Sequence, residues 1–128
     1  MVPKESFTPG AWFKKGDADL RSAKILLREG DMEIAAFHIQ QALEKYLKGF
    51  LLSKGWQLRK VHELDVLLND AVQYKHELEK FRELCEMATE YYLSERYPYE
   101  ESFQIPQAEI ELQIHQTEDL RKDLLTER

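Results

Sequence analysis

The sequence has few residues of the types that break helices, form sheets or cross-link chains, and each shortage excludes a class of protein. Five glycines and four prolines leave long stretches without a helix breaker. Val, Ile and Thr total 14, against 18 Leu and 17 Glu, which argues against a large sheet. The single cysteine, Cys85, excludes an internal disulfide and any site built from several thiolates. This composition predicts an all-α protein.

The sequence also lacks an apolar run long enough to span a membrane, and its first residues do not follow the signal-peptide pattern. With 128 residues, 43% of them apolar, the chain is large enough for one hydrophobic core and too small for several. We therefore expect a single domain over residues 1–128, located in the cytoplasm and without a membrane partner.

The net charge of −6 is unevenly distributed along the chain. Residues 1–75 carry 12 basic and 10 acidic side chains, whereas residues 76–128 carry 6 and 14. Nucleic acids bind clustered basic residues, so we expect no DNA partner for an acidic protein. An anion site would use the first half of the chain, with an isolated arginine from the second. The alternative is that both sets of charges lie on solvated helix faces.

Apolar residues that recur every three or four positions predict an antiparallel up-and-down bundle of four long helices and one short helix. The predicted helices run from Thr8-Pro9 to Gly30, from Asp31 to Gly55, over a short stretch from Leu64 to Val72, from Leu78 to Arg96, and from Pro106 to Leu124.

Catalytic and metal-binding signatures are absent from the sequence. His62-Glu63 begins like a metallopeptidase motif, but Val66 stands where the second zinc ligand is required. Cys85 lies on the apolar face of the fourth helix, where a thiol is usually a small core residue. We therefore assign no catalytic residue and expect no metal and no cofactor.

One polar stripe interrupts the otherwise apolar second helix. Its members are Gln41, Glu44, Lys45 and Lys48, which share an arc of about 100°. The stripe is a candidate ligand site. The alternative is a solvent-exposed face on which Gln41 pairs with Lys45 and Glu44 pairs with Lys48, each four residues apart.

Arg96 ends the fourth helix and precedes Tyr97-Pro98-Tyr99. A guanidinium at this place can bind a phosphate or a carboxylate, and the tyrosines can stack on a base. In an antiparallel bundle Lys45, Lys48 and Arg96 could converge on one groove. The alternative is that Arg96 pairs with Glu44 or another local carboxylate and that the tyrosines fill a dimer interface.

Several of these segments, in this order and at this spacing, resemble a HEPN domain over about residues 10–125. The matching residues are Trp12, Asp19-Leu20, Ala23, Ala36-Phe37, Gln40-Gln41-Ala42, Glu44-Lys45, Leu47-Lys48, His62, Leu64, Leu67 and Arg96-Tyr97-Pro98. The resemblance implies a helical bundle, usually a homodimer, often encoded beside or fused to a small nucleotidyltransferase of the MNT type. Many members are metal-independent RNases that act as toxins.

The sequence departs from the RNase branch at one position. That branch has a histidine four to six residues after its arginine, but the first histidine after Arg96 is His115. Without this proton-transfer group we expect no RNase activity from the isolated chain. His62 is a candidate replacement, although the sequence does not place it near Arg96.

The favoured interpretation is a dimeric HEPN-type module that binds a nucleotide, pairs with an MNT-type nucleotidyltransferase in a toxin–antitoxin system, or does both. The alternative is a HEPN-type RNase with a degenerate motif. The candidate ligand-binding residues are Gln41, Glu44, Lys45, Lys48, His62, Arg96, Tyr97 and Tyr99. For the homodimer interface we expect spare aromatic surface from Trp12, Phe37, Tyr97, Tyr99 and Phe103.

Overall fold

The computed structural model describes residues 8–57, 59–96 and 104–126, with the side chains of α4 described up to Tyr92. The helices are α1 (Pro9–Arg28), α2 (Met32–Ser53), α3 (Leu64–Tyr74), a 3₁₀ helix (His76–Phe81), α4 (Arg82–Arg96) and α5 (Gln107–Leu125). No strand occurs in these ranges, so the predicted all-α class is confirmed. None of the helices in this part of the chain is long and apolar enough to cross a lipid bilayer.

Local sequence signals explain where α1 ends and where α2 begins and ends. Asp31 caps α2, since its Oδ1 accepts a hydrogen bond from the Ile34 N–H at 3.2 Å. Gly30 and Gly55 adopt the left-handed conformation just beyond the ends of α1 and α2, with φ of 83° and 87°. The fourth predicted helix was wrong in one respect, because residues 76–81 form a 3₁₀ helix and the α-helix begins only at Arg82.

α2 contacts all four other α-helices. The short α3 runs in the same direction as α2, since its first residue, Leu64, lies near Glu44 and its last residue, Tyr74, packs on Phe50. Asp17 in α1 accepts hydrogen bonds from Tyr46 in α2 at 2.5 Å and from Arg121 in α5 at 2.7 Å. Each of these contacts joins the first half of one helix to the second half of another, as in an antiparallel pair. The contact of Tyr91 in α4 with Glu109 in α5 is of the same kind, so the four long helices fit the predicted antiparallel arrangement.

A continuous apolar core fills the space between the helices, and Cys85 is part of it. Cys85 is 1% exposed, and its burial raises the pKa of the thiol to about 12. The thiolate is therefore scarce at neutral pH. Cys85 is a core residue, as its place on the apolar face of the helix predicts.

Candidate functional site

A groove of about 580 Å³ opens at the end of the bundle where α4 ends. It lies between residues 37–44 of α2, the segment that leads into α3, and the last described turns of α4. We call it the α2–α4 groove, and its lining residues are Phe37, Gln40, Gln41, Glu44, His62, Glu63, Leu64, Thr89 and Tyr92. Three of the sequence-predicted candidates, Gln41, Glu44 and His62, therefore share one surface.

Glu44 forms the base of this groove and holds His62 in place. Glu44 is buried, with 8% of its side chain exposed, and its Oε2 accepts a hydrogen bond from His62 Nδ1 at 3.1 Å. The His62 side chain is 66% exposed. Because Nδ1 is held by the carboxylate, Nε2 is the nitrogen that remains for a ligand. His62, two residues before the start of α3, thus lies next to the polar stripe of α2.

Lys48 neutralises Glu44 from the interior side. Its Nζ lies 3.3 Å from Glu44 Oε2 and 5.3 Å from the centroid of the Trp12 ring. Only 2% of the Lys48 side chain is exposed, so the pair is not on a solvent face. The alternative interpretation was right that Glu44 and Lys48 form an i, i+4 pair and wrong that this pair is exposed to solvent.

Lys45 pairs with Asp19 of α1 instead of with Gln41. The same carboxylate accepts a hydrogen bond from His38 Nδ1 at 2.9 Å, so one buried aspartate holds two cationic or polar groups of α2. Neither Lys45 nor Lys48 lines the α2–α4 groove. The idea that both lysines point into one phosphate groove with Arg96 therefore needs correction, because each is directed to its own carboxylate.

Two neighbouring amides line the groove beside His62. Gln41 Nε2 donates a hydrogen bond to Gln40 Oε1 at 2.7 Å. Gln40 is only 4% exposed, yet its side chain faces the groove. Gln40 was not among the site residues predicted from the sequence. The signal for it was its polar side chain within an otherwise apolar stretch of α2.

Aromatic rings form another wall of the groove. Phe37 stacks on Tyr92, with ring centroids 5.7 Å apart and planes inclined by 21°. Trp12 and Phe37, expected to provide spare surface for a dimer, both have contacts within the chain. The spacing of residues along α2 and α4 does not reveal that Phe37 and Tyr92 meet, so this wall could not be predicted from the sequence.

The remaining candidates fall at the end of α4. Arg96 is the last residue of α4, one turn beyond Tyr92, which lines the groove. Its side chain and the whole of Tyr97, Tyr99 and Phe103 lie outside the described residues. Their roles stay predictions.

A second charged cluster, Asp17 with Tyr46 and Arg121, ties three helices together away from the groove. Burial acts to raise the pKa of Asp17, but hydrogen bonds from Arg121 and Tyr46 outweigh it and hold that pKa below its usual value. Burial, followed by the hydrogen bond to Asp17, raises the pKa of Tyr46. The cluster keeps a charged Asp17 and a neutral Tyr46, which suits a structural role.

The fold and the groove define a class of protein: a small helical bundle with a polar groove beside the end of its fourth α-helix. The sequence matches the HEPN domain family over residues 10–125, and the chain belongs to that family. No curated protein and no solved structure matches the chain.

Proposed function

We propose that this chain is a nucleotide-binding HEPN module and that the α2–α4 groove is its ligand site. The observation that carries the proposal is the joint placement of Gln41, His62 and the Phe37–Tyr92 stack around one opening. Amides and an imidazole can hydrogen-bond a base or a ribose, and aromatic rings can stack on a base. A volume of about 580 Å³ lies within the range of small-molecule sites.

Calorimetry with ATP and GTP tests this proposal. We expect binding to the wild-type chain and a loss of at least fivefold in affinity for His62→Ala, because the variant removes the exposed imidazole. His115→Ala is the matched control, since His115 is also exposed but lies on α5, away from the groove. Absence of heat with the wild type, or equal effects of the two variants, would refute the proposal.

We further propose that the module works as a homodimer and pairs with an MNT-type nucleotidyltransferase as one half of a toxin–antitoxin system. Family membership supports this proposal. Light scattering is expected to give the mass of two chains. A co-expressed MNT-type protein encoded beside this chain is expected to copurify with it. A monomer that leaves the nucleotidyltransferase unbound contradicts both statements.

The contact between Glu44 and His62 favours a second candidate, an RNase that acts without the motif histidine. A buried carboxylate that orients an exposed imidazole is an arrangement used in general acid–base catalysis. Our main proposal predicts that the isolated wild-type chain leaves single-stranded and structured RNA intact. Cleavage that His62→Ala abolishes and His115→Ala preserves would establish the second candidate instead.

A further inference from the structure

We propose that the α2–α4 groove recognises the base of its nucleotide rather than the phosphates, and that this base carries a 6-amino donor beside the N7 acceptor, as adenine does. This inference rests on the proposed nucleotide binding and adds the chemical class of the ligand. Two independent observations carry it: the hydrogen-bonding state of the Gln40–Gln41 amides and the pairing of the nearby lysines.

The two amides present one donor and one acceptor to a ligand. Gln41 Nε2 donates to Gln40 Oε1, and within the described part of the chain no hydrogen bond engages Gln40 Nε2 or Gln41 Oε1. If the direction of the bond were reversed, one amino group and one oxygen would still remain. Gln40 lines the groove, so its unpaired amino group is available to a molecule bound in the opening. A ligand acceptor would satisfy it.

Adenine offers the complementary pattern. Its 6-amino group is a donor, and the neighbouring N7 is an acceptor. Glutamine amides pair with this combination when proteins read adenine in DNA. The stacked rings of Phe37 and Tyr92 add a flat apolar wall next to the amides, as base binding requires.

Phosphate recognition has much less support in the same groove. The lysines of α2 are neutralised, Lys48 by Glu44 at 3.3 Å and Lys45 by Asp19. The described lining residues include two carboxylates, Glu44 and Glu63, and His62 as the one side chain able to become cationic. Free cations are few among the described lining residues, and a site with few of them releases few counterions, so its affinity depends weakly on salt.

Calorimetry on the wild-type chain with adenosine, ATP and inosine, at about 50 and about 500 mM NaCl, tests the inference. We expect adenosine and ATP to bind with affinities within about threefold of each other and to change by less than about threefold with salt. On the edge that carries N7, inosine has an acceptor oxygen in place of the amino donor, so we expect it to bind at least about tenfold more weakly.

Two results would overturn the inference while leaving nucleotide binding intact. One is ATP binding that falls more than about tenfold at high salt while adenosine does not bind. The other is equal affinity for adenosine and inosine. If ATP, GTP and adenosine all fail to bind, the proposed function itself fails, so the two failures are distinguishable.

A substitution in the amide pair provides a second measurement. Gln41→Met removes the free oxygen and is expected to weaken adenosine binding about tenfold. Gln73→Met is the matched control, because Gln73 is exposed on α3 and does not line the groove. Equal adenosine affinity of Gln41→Met and Gln73→Met contradicts the inference. The comparison of adenosine with inosine uses the wild-type protein and therefore holds even if Gln41→Met does not fold.

Discussion

Removal of the Lys48 ammonium group is expected to destabilise the protein strongly. Lys48→Met keeps the length of the side chain and its apolar character but leaves the Glu44 carboxylate without the cation 3.3 Å away. Both side chains are at least nine-tenths buried, so water cannot replace the lost partner. Breaking one partner out of a buried ion pair costs about 3–5 kcal/mol. His62 remains beside Glu44, so we expect the lower part of that range.

The double variant Glu44→Gln/Lys48→Met separates two contributions to the unfolding free energy, the loss of the ion pair and the cost of burying a single unpaired charge. With both charges removed, the unfolding free energy is expected to recover by at least about 2 kcal/mol relative to the sum of the single variants. Lys24→Met is the matched control, because it breaks the Lys24–Glu118 pair, whose side chains are 47% and 39% exposed. That pair is expected to contribute less than about 1 kcal/mol.

Urea unfolding, followed by circular dichroism and by tryptophan fluorescence, measures these differences. Trp12 lies beside Lys48 and is a local probe for the substitution. The reasoning is refuted if Lys48→Met costs no more than Lys24→Met. It is also refuted if the double variant loses the full sum of the two single losses.

Two further predictions concern the contact between α1 and α2. In Gly16→Ala the new Cβ would lie 2.6 Å from Tyr46 Cε1, whereas at Gly10 nothing lies within 4 Å. Gly16→Ala is therefore expected to be less stable than the control Gly10→Ala by about 1–3 kcal/mol in urea unfolding, and equal stabilities would contradict this. The second prediction uses the pKa of Asp17, which is lower in the folded state than its usual 3.8. Its stabilising contribution is present above pH 3.8 and is lost as the pH falls through the folded-state pKa, so the wild type is expected to lose stability below that pH more steeply than Asp17→Asn. Parallel acid-unfolding curves would contradict it.

The fold could be predicted from the sequence because its determinants are local. Asp31, Gly30 and Gly55 mark helix ends through short-range hydrogen bonds and backbone conformations. The switch to a 3₁₀ helix over residues 76–81 could not be predicted in this way, since the apolar spacing of Leu78 and Phe81 suits either helix.

The site was predictable only in part, because contacts between helices decide it. The polar stripe on α2 was visible in the sequence, and Gln41, Glu44 and His62 do share the groove. The spacing along α2 does not reveal that Lys45 forms an ion pair with Asp19 of α1 or that Lys48 packs on the ring of Trp12. Both are tertiary contacts, and they convert two candidate phosphate ligands into internal ion-pair partners.

The central claim is that the α2–α4 groove is where a nucleotide binds. Two-dimensional ¹H–¹⁵N NMR of the wild-type chain during a titration with ATP tests this claim most directly. The account predicts that the largest shift changes fall on the backbone and side-chain amides of Gln40 and Gln41 and on the backbone amides of His62 and Thr89. Changes centred instead on the opposite end of the bundle, around Phe13, Lys54 and Lys75, or no changes at all, would contradict it.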